Sequence, residues 1–209
     1  RDGAALGGAT ALDWRADMAE ALEVGRRIGD RVIVIGTSMG GALATLAMTD
    51  PALSRDVAGL VLVSPAYRLR QKGSALLTWP FARRFVPMIA GEERFFVPHT
   101  PTHGKWWTTR YPIEAVIPVA ALAKAAREAP VGRIGTPALF LFSDSDTVAD
   151  HRESRRVAAR WGGPATVSTV ELGAKDDPDS HVIAGEILSP GRTQQTVEQI
   201  LAWLREQDL

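Results

Sequence analysis

Apolar positions along the chain alternate between two rhythms. Trp14, Met18, Ala21, Gly25 and Ile28 recur at helical spacing behind Thr10 and Asp13, a hydroxyl and an acid suited to a helix cap and first turn, and Gly29-Asp30 ends the run. At Arg31–Ile35 the rhythm changes: Val32, Ile33, Val34 and Ile35 are apolar without alternation, which predicts a strand covered on both faces in the middle of a parallel sheet. Gly40 to Met48 predicts a helix of small and apolar residues, closed by Asp50-Pro51. Val57–Val63 and Pro137–Phe142 predict two more buried strands, and Asp150–Trp161 a helix with Val157, Ala158 and Trp161 on one face. Ala165–Leu172 alternates and predicts a strand nearer an edge. Gln194–Leu204 closes the chain as a helix with Val197, Ile200, Leu201 and Leu204 facing inward. This alternation predicts an α/β fold, a mainly parallel sheet with helices on both faces.

The uncharged run from Val32 to Thr49 approaches the length of a membrane span. Gly36, Thr37, Ser38, Gly40 and Gly41 break it, and its β-branched residues sit at one end. A buried strand, a turn and a buried helix account for it. Between the second and third strands, Pro65 to Thr136 is far too long for one crossover. It holds four of the six Phe and three of the six Trp, with helical patterns over Leu76–Met88 and Ile113–Arg127. It predicts a helical insertion over the carboxyl edge of the sheet. The expected division is core over 1–65, a cap insertion over 66–130 and core again over 131–209.

Composition narrows the chemistry. The 209 residues carry 24 basic and 24 acidic side chains, so no net field points to nucleic acid or to an anionic membrane. The basic stretches Arg68–Lys72 and Arg83–Arg84 are short, interleaved with apolar residues, and predict a snorkelling surface. Without cysteine there is no disulfide framework, thiolate nucleophile or cysteine-ligated metal. No secretory h-region is visible, and cytoplasmic is the default expectation.

The chemical signal is Gly36-Thr37-Ser38-Met39-Gly40-Gly41, set between a buried strand and a helix. A serine there sits on a sharp strand-to-helix turn, with flanking glycines that let the backbone pass closely. The amide of Met39 is then placed to bind an oxyanion. A serine hydroxyl needs a base, and a base needs an orienting acid. After the third strand come Asp144 and Asp146, both candidates for the acid, with Asp146 favoured if Val148 tucks into the core. His181 follows the last strand on a polar loop, where a general base is expected. His151 reads as a capping or surface residue. His99 and His103 are four apart, but Pro98 and Pro101 predict an irregular segment and no carboxylate is spaced to complete a metal site, so no metal is expected.

Through Ile35-Gly-Thr-Ser-Met-Gly-Gly-Ala, Ser143-Asp-Ser-Asp-Thr-Val and Ser180-His-Val-Ile, the chain resembles the α/β-hydrolase superfamily, within it the bacterial carboxylesterase and monoacylglycerol-lipase-like group. The resemblance implies a triad of Ser38, Asp146 and His181, an oxyanion held by Met39, no cofactor, and an acyl ester substrate of short to medium chain. It also implies a cap that lines an acyl pocket. A thioesterase or lysophospholipase would use the same triad, and a hydrophobic-ligand-binding module would use the same fold without turnover. Neither a nucleic-acid partner nor a stable membrane anchor is expected, and oligomeric state is left open. The family has strands ahead of the nucleophile elbow where this chain has one helix, a difference of about 60 residues by average element lengths. A longer natural chain, carrying those amino-terminal strands and the second oxyanion donor, is therefore expected, with Arg1–Gly8 as the tail of a loop.

Overall fold

The computed structural model describes residues 3–209. Its elements in order are α1 (Ala4–Gly8), α2 (Ala11–Ile28), β1 (Val32–Thr37), α3 (Met39–Ala47), α4 (Pro51–Ser54), β2 (Val57–Val63), α5 (Ala82–Ala90), β3 (Glu93–Phe95), α6 (Pro101–Trp106), β4 (Arg110–Pro112), α7 (Val116–Glu128), β5 (Ala138–Phe142), α8 (His151–Ala158), β6 (Ala165–Thr169) and α9 (Pro190–Glu206). β1-β2-β5-β6 form one sheet in that order, parallel throughout. This is the α/β arrangement that the alternating rhythm predicts.

The pleat assigns the two faces. Leu60, Leu62, Phe140 and Phe142 point to a core shared with Leu22 of α2, Ala44 of α3, Ala126 of α7 and Val157 of α8. Val61, Leu139 and Leu141 point the other way, to Val170, Ile183 and Trp203 of α9. Each fully buried side chain of this kind contributes about 1.5–3 kcal/mol, so both helical layers are held mainly by β2 and β5. α9 packs close: a Cβ on Gly59 would stand 2.7 Å from Leu209 and 3.2 Å from Trp203.

Several expectations shift. β1 is an edge strand here, bonded only to β2, so Ile35 is 60 % exposed instead of buried on both faces. β6 is an edge strand as expected, but it ends at Thr169 and shows no burial alternation. The inward face of α9 is Thr196 and Trp203 with Ile200 and Leu204, whereas Val197 and Leu201 are each 44 % exposed. In α2 the buried position is Leu22, with Met18 packed beside it, and Ile28 is exposed. Thr10 caps α2 in a reciprocal box with Asp13, as the residues predict, an arrangement worth about 1 kcal/mol. Ala4–Gly8 is helical instead of a loop tail, and Arg1 and Asp2 lie outside the described residues.

Between β2 and β5 the expected helix over Leu76–Met88 is divided at Trp79-Pro80 into a 3-10 turn, Ser74–Thr78, and α5. A two-stranded antiparallel ribbon, β3-β4, and α6 were not predicted. The expected helix over Ile113–Arg127 is present as a 3-10 turn leading into α7. α5 and the start of α7 share a small core of Ala82, Val86, Ile113 and Val116, while the end of α7 joins the main core through Ala126. Among the described residues no helix is long and apolar enough to cross a membrane.

Candidate active site

β1 delivers Ser38 to the carboxyl end of the sheet. Gly36 must be glycine, because a Cβ there would lie 2.7 Å from the Gly40 carbonyl oxygen. Ser38 has φ 52° and ψ −116°, a conformation costing about 1–3 kcal/mol that surrounding bonds must hold. They do: its N–H donates to the Val63 carbonyl at 2.8 Å, and its carbonyl accepts from Gly41, Ala42 and Ala66 at 3.1, 3.3 and 3.0 Å. The second close approach is at Gly41, whose Cβ would meet Pro65 at 2.9 Å. Gly40 has open space at its Cβ position, so the flanking glycines are not equivalent, contrary to expectation. Met39 opens α3, where first-turn N–H groups have no acceptor within the helix.

The loop after β5 separates the two candidate acids. Asp146 is 1 % exposed. Its Oδ1 accepts from the N–H of Val148 and of Ala149, each at 2.8 Å, and its Oδ2 lies 2.8 Å from His181 Nδ1. Asp144 faces away, with both oxygens 2.8 Å from Arg155 Nη2. Val148 does not tuck into the core as expected. It is 39 % exposed, and Ala149 is the buried neighbour, because the turn around Asp146 aims residue 149 inward. Arg70 is more than a snorkelling surface group: it donates to the Asp146 carbonyl at 2.6 Å. The chain from Arg68 to Arg70 is laced to the acid loop by Arg70 N–H to Val148 O and Asp150 N–H to Arg68 O.

His181 completes the constellation, with Nε2 2.9 Å from Ser38 Oγ. Its loop is clamped by Asp177, which the sequence reading missed. The buried Asp177 carboxylate accepts the N–H of Asp179, His181 and Val182 at 3.2, 3.0 and 2.8 Å. Ser189 Oγ in turn accepts from Asp177 N–H and donates to the Val182 carbonyl. The available signal was Asp-Pro-Asp-Ser, the Asx-turn chemistry in which a carboxylate binds the amide two residues on; here it reaches the amides four and five residues on as well.

The remaining histidines have other partners. His151 opens α8 and stacks on Phe142, but the cap is Asp150. The segment of His99 and His103 is irregular only as far as His99; Thr100 then caps α6, which carries His103, and Pro101 occupies its first turn, where its missing N–H costs nothing. His103 is buried, and its Nδ1 accepts the His99 N–H at 3.2 Å. Burial, then the neighbouring His99, holds the His103 imidazole below the usual histidine range. Carboxylates do reach His99, by folding and not by sequence spacing: its Nε2 is 3.1 Å from Asp179 Oδ2, and Asp177 is close by. Burial acts upward on Asp179, yet hydrogen bonds from His99 and Thr147 hold its carboxyl below its ordinary value. Both carboxylates are therefore already engaged. Beside His181 a cavity of about 350 Å³ is walled by Phe96, His103, Trp107, Tyr111 and Val182.

Residues 9–171 match the Hydrolase_4 family, described as serine aminopeptidase, S33. In three dimensions the chain is similar to a structure from work on LipS and LipT, two metagenome-derived lipolytic enzymes, with 21% identity and a TM-score of 0.75, covering 96% of this chain and 76% of that one. It is also similar to a monoacylglycerol lipase of Paleococcus ferrophilus, with 18% identity, a TM-score of 0.67 and coverage of 95% and 76%. The monoglyceride lipase of Saccharomyces cerevisiae matches at 10% identity and a TM-score of 0.67, covering 96% and 71%. These likenesses are of fold. No curated protein matches the sequence.

Proposed function

The chain belongs to the Hydrolase_4 (serine aminopeptidase, S33) family of α/β-hydrolases, and on that premise we propose that it cleaves carboxylic esters through an acyl-serine intermediate. The observation that carries the reading is the relay Ser38 Oγ to His181 Nε2, 2.9 Å, and His181 Nδ1 to Asp146 Oδ2, 2.8 Å. In this reading His181 takes the Ser38 proton as Oγ attacks the carbonyl carbon, and Asp146 orients the ring and stabilises its charged form. The Met39 amide, at the positive end of α3, supports the negative oxygen that forms. His181 then protonates the leaving alcohol, and water, activated by the same base, releases the acid.

An ester suits the site better than a peptide amino terminus. The two carboxylates that line the cavity, Asp177 and Asp179, already accept internal hydrogen bonds, which weakens them as partners for a peptide's α-ammonium group. Residues 66–130 supply the aromatic wall, consistent with a cap, and an acyl chain of short to medium length is the expected range. The test is labelling with a fluorophosphonate probe, read by intact mass, together with turnover of p-nitrophenyl butyrate, a monoacylglycerol and an alanine anilide. One adduct that is lost in Ser38→Ala, with ester turnover exceeding anilide turnover, supports the proposal. Labelling with turnover of the anilide alone would make it a peptidase. No adduct and no turnover would replace it with a non-catalytic binding module.

A further inference from the structure

The cavity beside His181 is placed asymmetrically with respect to the reacting groups: His181 lines it and Ser38 does not. In ester cleavage, on which this inference rests, the acyl carbon becomes bonded to Ser38 Oγ. The leaving oxygen must lie within reach of the proton on His181 Nε2. As the carbonyl re-forms, the bond between the acyl carbon and the leaving oxygen breaks, and that oxygen takes the His181 proton and departs as the neutral alcohol. A chamber that His181 lines and Ser38 does not is therefore better matched to the alcohol side of the substrate than to the acyl side.

We propose that this cavity binds the alcohol part of the ester and selects an aryl or arylalkyl group, such as benzyl. Rings make up much of its wall. His103 stands edge-on to Trp107 at 4.9 Å and 87°, and tilted against Phe96 at 5.4 Å, and Tyr111 closes another side. A further planar ring extends such a set of edge-to-face contacts. The cavity's polar lining groups already have partners within the protein: Arg94 bonds Gln71, Asp177 holds three main-chain amides, and Asp179 is shared by His99 and Thr147. At about 350 Å³ the chamber is at the small end of ligand pockets and fits one ring with a short linker.

The test is kcat/KM for butyrate esters of benzyl alcohol, cyclohexylmethanol and glycerol, set against the methyl esters of benzoate and cyclohexanecarboxylate. Benzyl butyrate is expected to exceed cyclohexylmethyl butyrate about tenfold, with no matching preference on the acyl side. Trp107→Ala should bring the benzyl-to-cyclohexylmethyl ratio close to one, while Trp107→Phe keeps most of it. A ring preference on the acyl side, none on either side, or a ratio indifferent to Trp107→Ala would overturn the proposal. Binding of benzyl alcohol to the Ser38→Ala protein, read by saturation-transfer NMR with cyclohexylmethanol as control, tests the cavity without turnover. Ring-selective binding with no ester cleavage would sink the esterase reading and leave the cavity standing. Cleavage with no ring-selective binding would do the reverse.

Discussion

The carboxylate of Asp177 accepts the main-chain N–H of His181 itself, at 3.0 Å, as well as those of Val182 and Asp179. A buried anion held by amides fixes the backbone from which the imidazole projects, while Ser180 just before it sits at φ 54°. Position and tautomer of the His181 ring thus have separate sources, Asp177 for the first and Asp146 for the second.

Asp177→Asn should separate them. An amide group has one acceptor oxygen and turns a donor toward N–H groups, leaving a buried amide unpaired at a cost of about 1–3 kcal/mol. A misplaced base lowers kcat, by about 10–100-fold, with little change in KM. Steady-state kinetics on p-nitrophenyl butyrate beside urea unfolding measures both. Lower stability with undiminished kcat would mean that Asp177 only supports the fold.

The two acids of the loop after β5 should behave oppositely. Asp146→Asn leaves geometry nearly intact but offers His181 Nδ1 the wrong partner, and a fall of about 10⁴ in kcat is expected. Asp144→Asn removes an exposed pair with Arg155, worth about 0–1 kcal/mol, and should leave kcat unchanged. Parallel kinetics of the two variants checks the assignment, and equal losses would refute it.

Much of this was legible because it is local. The uninterrupted Val-Ile-Val-Ile run, the Gly-x-Ser-x-Gly turn and the Thr10–Asp13 box are short-range patterns, and each element forms where its residues predict. What was not legible depends on which segments meet. His99 meets Asp179 across 80 positions, and Arg70 meets the Asp146 carbonyl across 76. Asp146 was favoured over Asp144 in the sequence, but the partner of Asp144 was not legible: the fold turns Asp146 toward His181 and Asp144 toward Arg155.

The glycines of the elbow give a stability prediction. In Gly36→Ala the new methyl meets the Gly40 carbonyl at 2.7 Å, and overpacking of this kind costs about 1–3 kcal/mol. Gly40 lies in the first turn of α3 with nothing near its Cβ position, so Gly40→Ala should gain up to about 1 kcal/mol of helix propensity. Thermal unfolding of both variants should move Tm in opposite directions. Equal losses would show that the backbone around Gly40 is as crowded as that around Gly36.

His103 makes stability depend on pH, and the sign follows from its surroundings. Burial and His99 hold its imidazole below 6.5, while Asp177 and Asp179 pull the other way. The unfolded chain therefore binds a proton at this ring more readily than the folded one. The stabilisation is fully present above the unfolded value near 6.5 and is lost as pH falls through it toward the folded value, at about 1.4 kcal/mol for each unit separating the two. Asp179 acts in a different window, because its carboxyl is held below 3.8 and its contribution is lost only in stronger acid. Between pH 7.5 and 5.5, then, wild type should lose more stability in urea than His103→Gln, whose side-chain oxygen still accepts the His99 N–H. Equal losses in the two proteins would place the titration elsewhere. A smaller loss in the variant would show that the ring against Trp107 must stay neutral for α6 to keep its place beside the His181 loop.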